Sequence, residues 1–417
     1  MKRSFDILAI ALYIVFVLSG IALIYAADYE YGQTRGFYEF ALRSGKQGAW
    51  VLCSGILILL IALVSFRIYD SFAYVMYALC TVLLILVLVF GKEVAGSRSW
   101  LALGTWQVQP SEFAKYATLL ALAKLLSGTS FRINSLKGQC MCYALVGLPT
   151  LLVVLQGDLG TALVFSCLLF VTYRAGMNPM VLFLLFYFVL MFVLVLLVSK
   201  WVLLVWLVAL CLLALALAGK NYRYMLFIAS FGVITTVFIM SLNAAMTSFL
   251  RPYQYERIQA MVNPGADPLG YGWNVTQSKI AIGAGGLRGK GYLKGTQTKL
   301  DFVPEKSTDF IFCTLSEEFG WIGAATLVVL FVLFIWRLIT IAERQNTRFA
   351  LFLGYGTAAI FFFHFTINIA MTIGLFPVIG IPLPFISYGG SSLWAFTIML
   401  FTLLKLDKER HATPSRF

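Results

Sequence analysis

Uncharged apolar runs of 18 to 20 residues recur along the chain, and the first, ILAIALYIVFVLSGIALIYA at residues 7–26, sets their scale. A water-soluble core needs no run of that length, whereas a bilayer with ~30 Å of hydrocarbon asks for about 20 apolar residues per helical crossing. Of 417 residues, 61% are apolar and 12% charged. The expectation is an all-α polytopic membrane protein, one domain over 1–417. Twelve spans are expected, near 7–26, 49–66, 72–90, 112–127, 139–155, 160–176, 179–198, 201–218, 224–243, 310–338, 349–373 and 390–405. MKRSFD ahead of the first run looks like a signal peptide, but the apolar part is span-length and no small-residue cleavage site follows, so it reads as a first anchor.

Lys and Arg in short loops set orientation, because positive residues resist translocation. Lys2, Arg3, Arg67, Arg132, Lys137, Arg174, Lys220, Arg223, Arg344, Arg348 and the tail at 406–417 fall on one side, which places both termini in the cytoplasm. Two stretches break the pattern: Arg35 to Lys46, and a large extracytoplasmic loop at 244–308, long enough to escape the rule. The net charge of +13 in part reflects this anchoring and gives little weight to nucleic acid as a partner. Seven scattered cysteines, with Cys53, Cys80, Cys167 and Cys211 inside expected spans, offer no disulfide framework, and Cys140 and Cys142 form a lone C-x-C. Two histidines, His364 and His411, exclude a histidine-rich metal site.

The 244–308 loop sets eight cations, among them Arg251, Arg257, Lys279, Arg288 and Lys290, against four carboxylates, a surplus that suits an anionic ligand. Its centre, KIAIGAGGLRGKGYLKGTQ, holds five glycines between Gly283 and Gly291. Glycine permits positive φ and close backbone approach, so amide groups there could converge on an anion such as a diphosphate. The alternative is a flexible turn dipping into the membrane interface. GGLRGKG lacks the spacing of a nucleotide-binding P-loop.

Ionisable residues inside apolar runs are costly at mid-bilayer unless paired or hydrated. WQVQPSEFAKYATLLALAKLL sets Glu112 and Lys115 on one helical face after Pro110 and a candidate Ser111 cap, as a salt bridge or as a helix-start pair that snorkels. LQGDLGTALVF puts Asp158 between two spans, either to cap the next helix or to pair with a cation such as Lys115 in a shared cavity. GLFPVIGIPLPFISYGGSSLW is broken by Pro377, Pro382, Pro384, Gly389 and Gly390, and such a break is tolerated only where it is buried or lines a polar cavity. VPEKSTDFIF sets Asp309 at the membrane border, with Glu317 and Glu318 about two helical turns on. Shielding pushes the pKa of a carboxylate up and nearby cations push it down, and the balance can leave a general base. The competing reading is a helix cap by Ser307, Thr308 or Asp309.

Together with GSRSWLALGTWQVQPSEFAK and the pattern GKGYLKGTQ…FVPEKSTDFIF, these stretches resemble the SEDS family (shape, elongation, division and sporulation), in particular its RodA branch. The likeness covers most of the chain outside 177–243. It implies a ten-span bundle, to which this chain adds an extra two-helix hairpin at 177–222, with the large loop preceding the tenth span. It also implies a peptidoglycan glycosyltransferase in the inner membrane that polymerises lipid II into β-1,4 glycan strands with inversion, releasing undecaprenyl diphosphate on the outer face. The family's catalytic aspartate lands on Asp309, and its further conserved positions land on Trp100, Glu112, Lys115 and Asp158. Arg257, Lys279, Arg288 and Lys290 are then candidates to stabilise the departing diphosphate, with a Mg or Mn ion able to share that task. No metal cage is evident. The implied partners are a class B penicillin-binding protein, other elongation-complex proteins and membrane lipid. Three rival readings stay open: a lipid II flippase, an intramembrane protease using His364 and Ser391, and a non-enzymatic scaffold.

Overall fold

The computed structural model describes residues 5–29, 36, 38–40, 42–94, 96–104, 106–219, 221–249, 256, 271–300, 302–303 and 305–410. Helices dominate: α1 (Ile7–Asp28), α2 (Arg43–Leu63), α3 (Phe66–Phe90), α4 (Pro110–Ser127), α5 (Leu136–Leu155), α6 (Leu159–Arg174), α7 (Met180–Leu197), α8 (Lys200–Leu217) and α9 (Tyr222–Phe249). They continue with α10 (Tyr271–Gly285), α11 (Ile311–Glu343), α12 (Arg348–Thr372) and α13 (Gly390–Glu409). Each expected span falls on one of these helices. Eight of them, α1, α2, α3, α5, α8, α9, α11 and α12, are long and apolar enough to cross a membrane, and α6 and α7 are shorter apolar helices. This is a multi-pass membrane protein.

Local chemistry sets several helix starts. Asp6 accepts from the Ala9 amide at 3.1 Å to open α1, Thr347 caps α12 through the Ala350 amide, and α4 starts with Pro110 in its first turn. A side-chain oxygen at that position satisfies an amide left without a helical partner. The expected Ser111 cap is not formed: Gln109 holds the cap position, and the buried Ser111 hydroxyl has no partner among the described residues.

Several features differ from expectation. α2 opens at Arg43, earlier than 49, because the Arg43 amide donates to Asp28 at 2.9 Å. α13 runs on to Glu409, past 405, because Asp407 is held by Arg344 and Arg410. The 244–308 segment contains α10. Residues 92–108 form an unexpected small antiparallel sheet, β1 (Lys92–Val94), β2 (Ser97–Leu103) and β3 (Trp106–Val108), with Lys92 opposite Trp100 and Ala102 opposite Gln107.

The 177–222 region holds α7 and α8 joined by two residues, 198 and 199. α8 has a single buried residue, Leu207, and turns most of its surface outward. The core lies elsewhere. Phe16 stacks on Phe331 at 4.3 Å and Phe331 on Phe365 at 4.8 Å, while Phe385 meets Phe361 and Tyr13, so rings join α1, α11, α12 and the broken 374–389 segment. Aromatic pairs of this kind add about 0.5–1.5 kcal/mol each beyond their burial.

At one end of the bundle a charge cluster ties the chain's extremities. Asp6 accepts from Arg337 at 2.7 Å and Arg344 at 2.8 Å, and Arg344 also reaches Asp407 at 2.5 Å. Burial alone would raise the Asp6 pKa, but the hydrogen bonds from Arg337, Ala9 and Arg344 outweigh it and hold the group below its ordinary value of 3.8. The stability it contributes is therefore fully present above that value and lost as pH falls through the lower folded-state pKa. Asp6→Asn is expected to cost about 1–3 kcal/mol, since each half-exposed arginine keeps some water. Melting curves in detergent between about pH 3 and 6 should show the wild-type chain losing part of its advantage on acidification while Asp6→Asn stays flat across that step.

Candidate active site

Opposite the charge cluster, the bundle encloses a cavity of about 1360 Å³ with two kinds of wall. Trp100, Gln109, Asp158, Thr308, Asp309 and Tyr388 contribute polar groups at one side. Leu163 and Leu169 of α6 and Leu185, Phe188, Val189 and Phe192 of α7 make an apolar flank running along the helices. The broken segment lines this cavity through Phe376, Pro377, Ile379, Gly380 and Pro382, as its prolines and glycines led us to expect.

Asp309 is half-buried and its backbone is anchored on both sides. Its carbonyl accepts from the Asn368 side chain at 2.9 Å, and that same amide nitrogen donates to the Ile381 carbonyl at 2.7 Å. Next door, the Thr308 carbonyl accepts from the Ser387 hydroxyl at 2.6 Å, and the Ser307 carbonyl accepts from the Tyr388 amide at 2.9 Å. The carboxylate is thus presented to the cavity from a segment clamped by α12 and the broken segment. The cap reading is not met: α11 starts at Ile311 with Phe310 at the cap position and no capping side chain, while residues 305–310 form a turn.

Asp158 does cap a helix. It accepts from the Thr161 amide at 2.9 Å and hydroxyl at 2.8 Å, and from Gln109 at 3.0 Å, so its partner is Gln109 and not Lys115. A Cβ on Gly160 would stand 2.1 Å from the Ile379 carbonyl oxygen, so only glycine lets α6 approach the broken segment this closely. Trp100, on β2, completes the group, and the structure brings Trp100, Asp158 and Asp309 to one cavity.

Glu112 and Lys115 are placed differently. They form an ion pair at 2.8 Å with side chains 3% and 1% exposed, and Lys115 also meets His364 Nε2 at 2.9 Å. His364 Nδ1 in turn faces the Pro382 carbonyl at 3.2 Å. The pair is a buried brace between α4, α12 and the broken segment, and neither residue lines the cavity. With both His364 nitrogens so engaged, and the Ser391 hydroxyl accepting from the Gln109 amide at 3.2 Å, the protease dyad is not formed.

The glycine-rich loop is neither an anion nest nor a loose turn. The Lys290 and Gly291 amides donate to the Glu317 and Glu318 carbonyls at 3.0 and 2.9 Å, and the Trp321 amide donates to the Gly286 carbonyl at 2.8 Å. Gly320 breaks α11 at φ +65°, and a Cβ on Gly289 would lie 2.1 Å from the Glu318 carbonyl oxygen. Both glycines serve a backbone-to-backbone junction between loop and helix. The Glu317 carboxylate then accepts from the Thr296, Gln297 and Thr298 amides at 2.7, 2.9 and 3.0 Å and from Lys290 at 2.8 Å. Lys290 is therefore paired within the protein. Lys279 and Arg288 are exposed and lie outside the cavity lining, and Arg257 lies outside the described residues. Glu317→Ala would leave those amides without an acceptor, at about 1–3 kcal/mol for each that stays buried. Amide hydrogen exchange at Thr296 to Thr298 is expected to speed up at least tenfold, and unchanged exchange there would contradict the anchoring role.

Residues that the sequence did not assign to the site include Lys46, Gln109, Glu305, Thr308 and Tyr388, all of which line the cavity. The signal for Lys46 was its place in the Arg35–Lys46 stretch that breaks the charge asymmetry. Among the described residues no group of three or more His, Cys, Asp or Glu side chains forms a metal cage, and both Asp158 oxygens are already engaged.

A bundle of membrane helices around a largely apolar cavity, polar at the side where a clamped carboxylate enters, defines an integral membrane protein with an internal site. The sequence profile of the FTSW_RODA_SPOVE family, described as "Cell cycle protein", matches residues 6–204 and 180–412. The chain belongs to this family. It is 36% identical over 339 residues to the peptidoglycan glycosyltransferase MrdB of Escherichia coli K12, covering 81% of this chain and 78% of that one. It is 32% identical over 433 residues to the peptidoglycan glycosyltransferase RodA of Treponema pallidum, covering 98% of each. Among solved structures, a chain from "Structural coordination of polymerization and crosslinking by a peptidoglycan synthase complex" superposes with a TM-score of 0.69 at 26% identity, covering 98% of this chain and 99% of that one. The rod shape determining protein RodA of Thermus thermophilus shares the fold, with a TM-score of 0.62, 24% identity and 98% of each chain covered.

Proposed function

We propose that this chain is a peptidoglycan glycosyltransferase of the RodA type, polymerising lipid II into glycan strands for cell-wall elongation. One observation carries the reading: Asp309 is presented to a cavity whose far flank is apolar and formed by membrane helices. A sugar linked through a diphosphate to a polyprenyl chain has this same division of polarity. The chain crosses the membrane with both termini cytoplasmic and the Asp309 end outside, supported by the Arg and Lys residues collected near the Asp6 end.

In the reaction, the 4-hydroxyl of the acceptor GlcNAc attacks the anomeric carbon of the donor with inversion. The new C–O bond forms as the bond to the diphosphate oxygen breaks, and undecaprenyl diphosphate departs with the electron pair. Asp309 takes the hydroxyl proton as general base. Asp158 and Gln109, hydrogen-bonded to each other, shape the polar side, and Trp100 offers an aromatic face to a sugar ring. A class B penicillin-binding protein as transpeptidase partner, with other elongation-complex proteins around the pair, fits the chain's likeness to a member of a peptidoglycan synthase complex.

The flippase reading calls for intramembrane charges open to the substrate path, and the Glu112–Lys115 pair is sealed. Purified protein supplied with lipid II, alone and with a class B partner, is expected to yield glycan strands resolvable by gel. Translocation of lipid II across vesicles without any strand formation would replace the polymerase reading by the flippase.

A further inference from the structure

We infer that Lys46 is the cation that receives the diphosphate in this cavity, an inference that rests on the polymerase reading above. The charged lining consists, among the described residues, of three carboxylates, Asp158, Glu305 and Asp309, and a single cation, Lys46. A diphosphate entering beside three carboxylates needs compensating charge, and more of it as the leaving-group oxygen becomes anionic. Of the loop cations that the sequence suggested, Lys290 is held by Glu317, Lys279 and Arg288 lie outside the lining, and Arg251 and Arg257 lie outside the described residues. Lys46 is exposed toward the cavity, and its ammonium engages no carboxylate among the described residues.

Its position is also fixed relative to the reacting group. Arg43, Lys46, Gln47 and Trp50 share one face of α2 by their i, i+3, i+4, i+7 spacing. Arg43 donates to the Ser307 hydroxyl, two residues from Asp309. Gln47 accepts from the Gly389 amide at 3.2 Å, and the Trp50 carbonyl accepts from Trp394 Nε1 at 3.1 Å. The first two turns of α2 are thereby locked to the segment bearing Asp309 and to the start of α13. A lysine that merely snorkelled to the interface would need none of this. The chain places a compact, hydrated point charge where a phosphate oxygen can use it, and the departure of Arg35–Lys46 from the charge asymmetry of the short loops becomes a functional feature.

The test separates binding from turnover. Affinity of the full chain for undecaprenyl diphosphate and undecaprenyl monophosphate is measured in an Asp309→Asn background, with and without Lys46→Ala or Lys46→Arg. Lys46→Ala is expected to weaken diphosphate binding by about 10–100-fold and monophosphate binding by less, with an unchanged melting temperature. Lys46→Arg should restore most of the loss. In the otherwise wild-type chain, Lys46→Ala should raise KM for lipid II by a similar factor. Unaltered diphosphate affinity in Lys46→Ala, or an arginine variant as weak as the alanine one, would overturn the assignment. A wild-type chain that makes no glycan would instead overturn the polymerase reading, while the binding comparison would still decide on Lys46.

Discussion

Asp309→Asn is expected to lower lipid II polymerisation by about a hundred- to ten-thousand-fold, the span that a positioned general base contributes, with no change in melting temperature. Asparagine keeps the shape of aspartate and loses the proton acceptor. The contacts that position this residue run largely through backbone carbonyls, from Asn368 to Asp309 itself and from Ser387 and Tyr388 to its two predecessors, and all of these survive the substitution. The fold should therefore stand while the chemistry stops. Binding of lipid II to the variant should persist, since the apolar flank and the polar residues around Asp158 are untouched. Glycan synthesis at the wild-type rate would remove Asp309 from the reaction.

The second large effect falls on stability. Lys115→Met would leave the Glu112 carboxylate without its cation at a site where the side chain is 3% exposed, and would take the partner from His364 Nε2. Breaking a buried pair by removing one member costs about 3–5 kcal/mol, because the remaining charge is stranded. One Glu112 oxygen, Oε2, has no hydrogen-bond partner among the described residues, which leaves little room to adapt. The double substitution Glu112→Gln with Lys115→Met removes both charges and should recover a large part of the loss. Thermal unfolding in detergent measures this directly, and a single variant as stable as the wild type would show that the pair is not a brace.

These two residues mark how far sequence reasoning reached. The spacing of Glu112 and Lys115 on one helical face permitted their contact, since residues three apart on a helix are neighbours. It left their surroundings open, because a pair that is sealed in the bundle and a pair that snorkels to the interface have the same local sequence. Asp158 illustrates the same limit. Its flanking glycines and its place before an apolar run announced a cap, and the cap is formed. Gln109, 49 positions earlier, reaches it only through the fold. The glycine-rich loop stood open between an anion site and a flexible turn because glycine permits many backbone paths, and sequence does not say which is taken. The break of α11 at Gly320 and the acceptors on Glu317 select one. Lys46 was overlooked for a complementary reason: a lone lysine at a helix start carries no motif, and its meaning lies in what faces it.

By itself the sequence determined the class of the molecule. Apolar runs of span length have no other low-energy home than a bilayer, and helix positions follow from those runs because backbone groups in hydrocarbon must pair within their own segment. It also marked Asp309 and the broken 374–389 segment, since a carboxylate at a membrane border and prolines within an apolar stretch are tolerated only for a reason. Tertiary structure alone decided which charges meet. Lys115 was drawn to Glu112 and His364, Lys290 to Glu317, Arg344 to Asp6 and Asp407, and Lys46 was left facing the cavity that Asp309 also lines. Electrostatic partners are settled by distance and burial, and those quantities come into being only when helices distant in the chain pack together.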